Sequence, residues 1–349
     1  MKIIQLDIQG FRSLKNVSWR PGDLNVVIGP NGSGKSNLLK MLELISTAAQ
    51  GKLREGIDIW GGITQLLWDG QTNWIGFSLV TLRTDMGEVP ERLIYEVGIK
   101  SLSGANEYRV ESEVLRNIDD EFGLIVRGKA TGKVYVRLEN GMSEMATSTL
   151  ATEETLLSAT GSPFFAGVAK SGLPDYKTQT TSWSIYQDIR TDQNAPVRKA
   201  PVSRLEQRVL PSGQNLINVL HTLYTSDRKF KQDINDAMFA AFGDDFDELI
   251  FPPAADQRIQ MRVRWKTLKR EQSTADLSDG ILRFLFLLTV LAGPNRPRLL
   301  PLMSRKRVCT RPCCRLSPSM RSKRRHELRS FSRPIRTNFS ARFGRHGRP

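Results

Sequence analysis

Cysteine and histidine are almost missing from this 349-residue chain, with three of each. All three cysteines, Cys309, Cys313 and Cys314, sit near the C-terminus, as do two of the histidines, His326 and His346. Residues 1–300 therefore hold no thiol, which excludes a disulfide framework, a cysteine nucleophile and a thiolate metal site there. The C-terminal Cys-x-x-x-Cys-Cys lacks a second ligand pair at zinc spacing. Long apolar runs are absent too. Hydrophobic residues make up 39% of the chain, and no stretch reaches the roughly 20 apolar residues of a membrane span. The opening Met1-Lys2-Ile3-Ile4-Gln5-Leu6-Asp7 alternates and carries an acid, unlike a secretory leader, so the expectation is a cytoplasmic chain without a membrane anchor.

Net charge is also lacking over most of the length. The whole chain carries +15, but residues 301–349 hold 15 Lys and Arg against one acid, Glu327. The first three hundred residues keep 36 basic and 35 acidic side chains and are almost neutral. Two compositions are joined near residue 300. The length leaves room for one large or two ordinary domains with ample core.

Periodicity sketches the elements. Residues 3–9 alternate as a strand, with Ile4, Leu6 and Ile8 on one face. A Pro21-Gly22 turn resets the chain into a short apolar run, Leu24 to Ile28, which predicts a second strand. Leu38, Leu39, Met41, Leu42 and Ile45 then mark a helical face that ends before Gly51. Alternating segments follow at Trp74 to Arg83, Arg92 to Ile99, Tyr108 to Leu115 and Lys133 to Leu138. Turn signals at Ser103-Gly104 and Asn140-Gly141 divide them and predict antiparallel strands. Residues 143–200 are polar and weakly periodic, suited to loops and short helices. Helical spacing returns from Gln214 to Leu223 and from Phe230 to Phe242, and these segments fall within an expected insertion over about 143–245. His221, among Leu220, Leu223 and Tyr224, reads as a packed helical histidine. Arg258 to Thr267 alternates as one more strand, and Ile281 to Leu291 forms an apolar helix that Ser278 or Asp279 would cap.

Between the apolar run and the first helix stands Gly29-Pro30-Asn31-Gly32-Ser33-Gly34-Lys35-Ser36, which fits G-x-x-x-x-G-K-[ST], the P-loop. Its glycines let successive backbone N–H groups curl around phosphate oxygens, and the following helix adds its positive end. Lys35 would reach the β- and γ-phosphates, and the Ser36 hydroxyl would hold Mg²⁺. A Gly/Ser-rich turn capping a helix is the alternative. The eight-residue pattern between an apolar run and a helix weighs against it. The ligand so implied is a nucleoside triphosphate with Mg²⁺.

Three features in order carry a resemblance. They are Gly10-Phe11-Arg12-Ser13-Leu14-Lys15 after the first strand, Gly29 to Ser36 with Asn37, and Leu277-Ser278-Asp279-Gly280 opening the last helix. Together they resemble the bacterial AAA-type-core ATPases akin to RecF, SMC heads and OLD-family nucleases, over roughly residues 1–293. The resemblance implies an α/β, ABC-type P-loop head: N-terminal antiparallel strands plus a RecA-like core with a helical insertion. It implies ATP as the ligand, with Arg12, Ser13 and Asn37 bordering the nucleotide. It implies that Leu277, Ser278, Asp279 and Gly280 form a signature loop that closes over the γ-phosphate bound to a second copy, so that ATP locks a homodimer of heads. The family's usual signature is L-S-G-G, and Asp279 departs from it. A Q-loop glutamine reaching Mg²⁺ is also implied; Gln65 and Gln71 are both candidates.

Such an enzyme needs an apolar strand ending in Asp-Glu just after the last helix, and later a strand ending in histidine. Neither is present: the chain runs Leu299-Leu300-Pro301-Leu302-Met303-Ser304-Arg305-Lys306-Arg307 and stays basic. The genetic code supplies a reason. Joining the third base of each codon from Arg298 to the first two bases of the next, permitted synonymous choices read L-I-A-I-D-E-P-E-T-G-L-H-P. In the same frame, Glu327 to Arg336 reads T-Q-V-I-F-T-T-H-S. Both missing motifs occur, in order. The expectation is an ATPase head over 1–300, incomplete at its C-terminus, followed by an out-of-frame, disordered basic tail over 301–349. It would bind ATP as a dimerising switch in DNA repair or phage defence, with DNA or a nuclease or effector as partner, and would hydrolyse little. Two other readings stay open: a non-hydrolysing nucleotide- or nucleic-acid-binding protein with a basic arm, and the ATPase subunit of a transporter.

Overall fold

The computed structural model describes residues 1–83, 91–102, 106–118, 124–128, 133–138, 141–145, 152–160, 173–186 and 189–294. The basic tail, its cysteines, the two histidines within it and both out-of-frame motifs lie outside the described residues. So do the Ser103-Gly104 turn and Asn140.

An eight-stranded sheet dominates the N-terminal half. Its strands are β1 (Lys2–Phe11), β2 (Leu14–Trp19), β3 (Trp74–Arg83), β4 (Glu91–Ser101), β5 (Tyr108–Asn117), β6 (Ile125–Arg127), β7 (Val134–Leu138) and β8 (Gly141–Met145). Their order in space is β2-β1-β3-β4-β5-β6-β7-β8, and every pairing is antiparallel. The expected antiparallel strands are therefore present, in a mixed α/β fold. β6 and β8 were not legible in the sequence: β6 has only three residues, and β8, Gly-Met-Ser-Glu-Met, holds no β-branched or aromatic residue.

β1 corrects one detail. A bulge between Ile3 and Gln5 shifts its register against β3, so Ile3 joins Leu6 and Ile8 in the core while Ile4 stays half-buried. Near the start of β3 Gly76 pairs with Gly98 of β4, and the Trp74 ring occupies the space above both. A Cβ on Gly76 would lie 2.0 Å from Trp74 Cη2, so this spot needs glycine.

Helix α1 (Lys35–Ala49) lies in the first core, with Met41, Leu42, Leu44, Ile45, Ala48 and Ala49 buried together with Leu6, Ile8, Phe77, Leu79 and Tyr95 of the sheet. α2 (Leu53–Ile59), α3 (Leu156–Ala159) and α4 (Leu173–Thr181) surround it. A buried carboxylate ties these parts together. Glu113 on β5 accepts from the N–H groups of Leu156 (2.6 Å) and Leu157 (3.0 Å) at the start of α3 and from the Tyr95 hydroxyl (2.9 Å). The Thr155 hydroxyl in turn donates to Ala48 O at the end of α1, 2.9 Å away.

A second core begins at Tyr186. It is built from α5 (Leu216–Ser226), α6 (Arg228–Phe242), β9 (Phe246–Ile250), β10 (Pro253–Ala254), β11 (Arg258–Ile259), β12 (Arg262–Trp265), β13 (Gln272–Ser273) and α7 (Asp279–Ala292). β13, β12 and β9 form one antiparallel sheet, and β10 pairs with β11. The single strand expected over Arg258 to Thr267 is thus broken in two. Its alternation survives the break, since Ile259, Met261, Val263 and Trp265 are all buried. His221 packs with its ring 5.6 Å from Phe251, as a core histidine would, and burial lowers its pKa.

The strand expected from Leu24 to Ile28 does not form. These residues lie outside any strand, and Leu24, Val26, Val27 and Ile28 are 58%, 73%, 53% and 87% exposed. A strand is held by its ladder, and no strand among the described residues pairs with this run. No helix among the described residues is long and apolar enough to cross a membrane.

Candidate functional site

The site is built on the turn between β1 and β2. That turn reverses the chain within two residues, Arg12 and Ser13, and Arg12 takes the left-handed conformation (φ 49°), uncommon for a side chain of its size. The turn is held from outside: Arg12 N–H donates to Leu66 O (2.7 Å), and its guanidinium reaches Trp60 O (3.4 Å). Phe11 forms a bridge with Leu67, and the Lys15 ammonium stands 4.5 Å over the Trp68 ring.

This turn carries the end of the P-loop. Asn37 Nδ2 donates to Ser13 Oγ at 2.8 Å. Gly34 enters α1 at φ +90°, and a Cβ there would lie 3.0 Å from Leu14 Cδ2 and 3.2 Å from Ser13 Oγ. Glycine is required twice over, for its backbone angle and for the close approach. The structure thus brings Ser13, Gly34 and Asn37 together, with Arg12 next to Ser13. Gln65 lies in the segment that touches the Arg12 turn, next to Leu66, whereas Gln71 is exposed after a short 3₁₀ turn, Trp68–Gly70.

Within the loop, Lys35 Nζ donates to Gly29 O (2.7 Å), Pro30 O (2.7 Å) and Ser33 Oγ (3.2 Å). Asn31, Gly32 and Ser33 are exposed, and Ser36 sits in the first turn of α1. The N-terminus of α1 has no side-chain cap and no acid in its first turn. α6 and α7 are different. Asp227 accepts from Lys229 and Phe230 N–H, and Ser278 accepts from Ile281 N–H. An uncapped helix start leaves backbone N–H groups for an anion. Arg12 adds to this: its Nε is buried and finds no partner among the described residues, and burial lowers its pKa. These residues could hold a phosphate chain, with the Lys35 ammonium as its counter-charge and the Ser36 hydroxyl open to a hard cation. Among the described residues no group of three or more His, Cys, Asp or Glu could hold a metal on its own.

The signature stretch stands in the second core. Leu277 is buried, Ser278 caps α7 with Oγ 3.3 Å from Ile281 N, and Gly280 is exposed. No hydrogen bond among the described residues joins this stretch to residues 29–37. Sequence reasoning missed Arg198, which lies in a 3₁₀ turn, Pro196–Arg198, and pairs with Asp279 at 2.7 Å. Nothing in the local pattern singles out this arginine, because its partners lie about eighty residues downstream.

Residues 1–140 match the AAA ATPase domain family. No curated protein matches the sequence. Among solved structures, the chain is similar to an SMC head bound to the C-winged helix domain of ScpA, at 13% identity and TM-score 0.47, covering 84% of this chain and 78% of that one. It is similar to the recombination mediator RecF with ATP at 10% identity and TM-score 0.35, covering 87% and 88%. A third likeness, from work on ATP-driven dimerization and DNA-stimulated activation of SMC ATPases, has 20% identity and TM-score 0.26, covering 34% and 72%. The matched stretch, residues 1–140, takes in the Gly29–Ser36 loop, the Arg12–Ser13 turn and strands β1 to β7.

Proposed function

We propose that this chain is an ATP-binding, ABC-type head that works as a dimerising switch in DNA repair or phage defence, and that as translated it binds ATP without turning it over. The observation that carries the binding half is the uncapped start of α1 behind Gly29–Ser36, clamped by Ser13 and Asn37. Gly29 to Asn37 would wrap the phosphates. Lys35 would leave the carbonyls of Gly29 and Pro30 for the β- and γ-phosphate oxygens, and Ser36 would ligate Mg²⁺. Arg12 and Ser13 would border the nucleotide. Leu277, Ser278, Asp279 and Gly280 would close over the γ-phosphate of a second copy and so make the dimer ATP-dependent.

The exposed Leu24–Ile28 run supports the second half. It has the composition of a core strand and lacks a neighbour among the described residues. In this reading the neighbour is the strand encoded one frame away, with the Asp-Glu pair that would order Mg²⁺ and activate water. The gene's nucleotide sequence tests this directly: the idea fails if the shifted frame does not encode D-E-P-E.

For the protein, titration with a fluorescent ATP analogue in Mg²⁺ should show saturable binding that Lys35→Ala weakens at least tenfold, with negligible phosphate release. Mg²⁺-dependent hydrolysis abolished by Lys35→Ala would overturn the non-hydrolysing part. Strongly salt-dependent DNA binding lost on deleting 301–349 would instead favour a basic nucleic-acid arm.

A further inference from the structure

Asp279 is the one charged residue of the Leu277–Gly280 stretch. A carboxylate in the first turn suits the helix dipole of α7, but in a loop meant to meet a triphosphate it sets like charge against like. The structure offsets it. Arg198, with its side chain 10% exposed, donates from Nη2 to Asp279 Oδ1 at 2.7 Å. Its Nη1 reaches the carbonyls of Thr274 (3.0 Å), Ala275 (3.0 Å) and Leu277 (2.7 Å), and its Nε reaches Thr191 O at 2.8 Å. The Thr274 hydroxyl returns a bond to Arg198 O at 3.1 Å. One guanidinium therefore gathers three carbonyls of the approach to α7 and the one charged residue of the signature. Nearby Asp276 is engaged separately, accepting from the Ser273 hydroxyl at 2.8 Å.

We propose that Arg198 is the positioning residue of the Leu277–Gly280 loop. It holds the approach to α7 in shape and neutralises Asp279, so that the helix start offers N–H groups without net negative charge to a triphosphate on a second copy. This rests on the signature reading above. It adds that the Asp279 charge is tolerated in this loop because Arg198 neutralises it. Lysine could not replace it, since a point charge cannot span carbonyls and carboxylate together as the planar fork does.

The test uses the full chain with Mg²⁺ and a non-hydrolysable ATP analogue, with dimerisation read by sedimentation velocity and nucleotide affinity by fluorescence titration. Arg198→Met should weaken dimerisation at least tenfold with nucleotide affinity within twofold of the parent. Adding Asp279→Gly to it should recover the part of the loss that comes from the unopposed carboxylate, a recovery that an arginine acting only on the carbonyls would not allow. Asp279→Asn alone, at a half-exposed position that keeps the acceptor, should tighten the dimer several-fold because the Arg198 charge is then unopposed. The proposal is overturned if Arg198→Met dimerises like the parent, if Asp279→Gly fails to rescue it, or if Asp279→Asn weakens the dimer. If the parent binds nucleotide yet stays monomeric, the signature reading itself fails, and this outcome is distinct because every variant then behaves alike.

Discussion

Gly34 shows how much one residue can carry. Its φ of +90° strains any side chain, and a methyl group would have to push Leu14 and Ser13 back from 3.0 Å and 3.2 Å. Gly34→Ala should cost about 1–3 kcal/mol of stability, from backbone strain and displaced neighbours. It should also weaken nucleotide binding by moving the start of α1; urea unfolding and titration together measure both. Glu113 makes a different point, because it is fully buried among N–H and O–H donors. Burial raises its pKa from the ordinary 4.5, against the pull of Leu156 N–H, the Arg127 charge, Leu157 N–H and the Tyr95 hydroxyl. A carboxyl whose folded pKa is raised contributes its stability below the ordinary value and loses it as pH climbs through the folded one. Relative to Glu113→Gln, the parent should therefore lose stability as pH rises from 4.5, as thermal melts across a pH series would read. Glu113→Ala should cost about 2–3 kcal/mol or more, since it strands several buried donors at once.

At the scale of elements, the helix starts divide by purpose. α6 and α7 carry side-chain caps, so Asp227→Ala should cost about 1 kcal/mol and leave nucleotide binding untouched. Differential calorimetry and the same titration test both halves of that statement. α1 has no side-chain cap and neither has α5, but only α1 follows the glycine-rich loop. The Leu24–Ile28 run is the unfinished element. With Ile28 87% exposed, Ile28→Lys should change stability by no more than about 0.5 kcal/mol in this chain. In a chain continued in the shifted frame from residue 298, the same substitution should cost several-fold more, because a core strand would then bury it. Equal effects in the two chains would count against the missing-strand account.

For the whole molecule, the two cores separate the two motifs. The P-loop is attached to the first and the Leu277–Gly280 loop to the second, so each motif depends on a different set of packed residues. Proteolysis or mutation that loosens the second core should therefore spare ATP binding and remove nucleotide-driven dimerisation.

Much of this was legible in the residues. The α1 face, the β3 to β5 alternation and the α7 cap each depend on neighbours a few positions apart, and local sterics and hydrogen bonding settle them. Ser13 and Asn37, named from a resemblance, proved to be bonded to each other. What the order of residues did not contain was set by contacts distant in the chain. The β1 bulge that exchanges Ile4 for Ile3 depends on β3, and the grip of Arg198 on Asp279 spans both ends of the second core. The failure of Leu24–Ile28 to become a strand has the same origin. Four apolar residues in a run of five can propose a strand, but only a paired neighbour satisfies their backbone groups, and pairing is a property of the folded molecule.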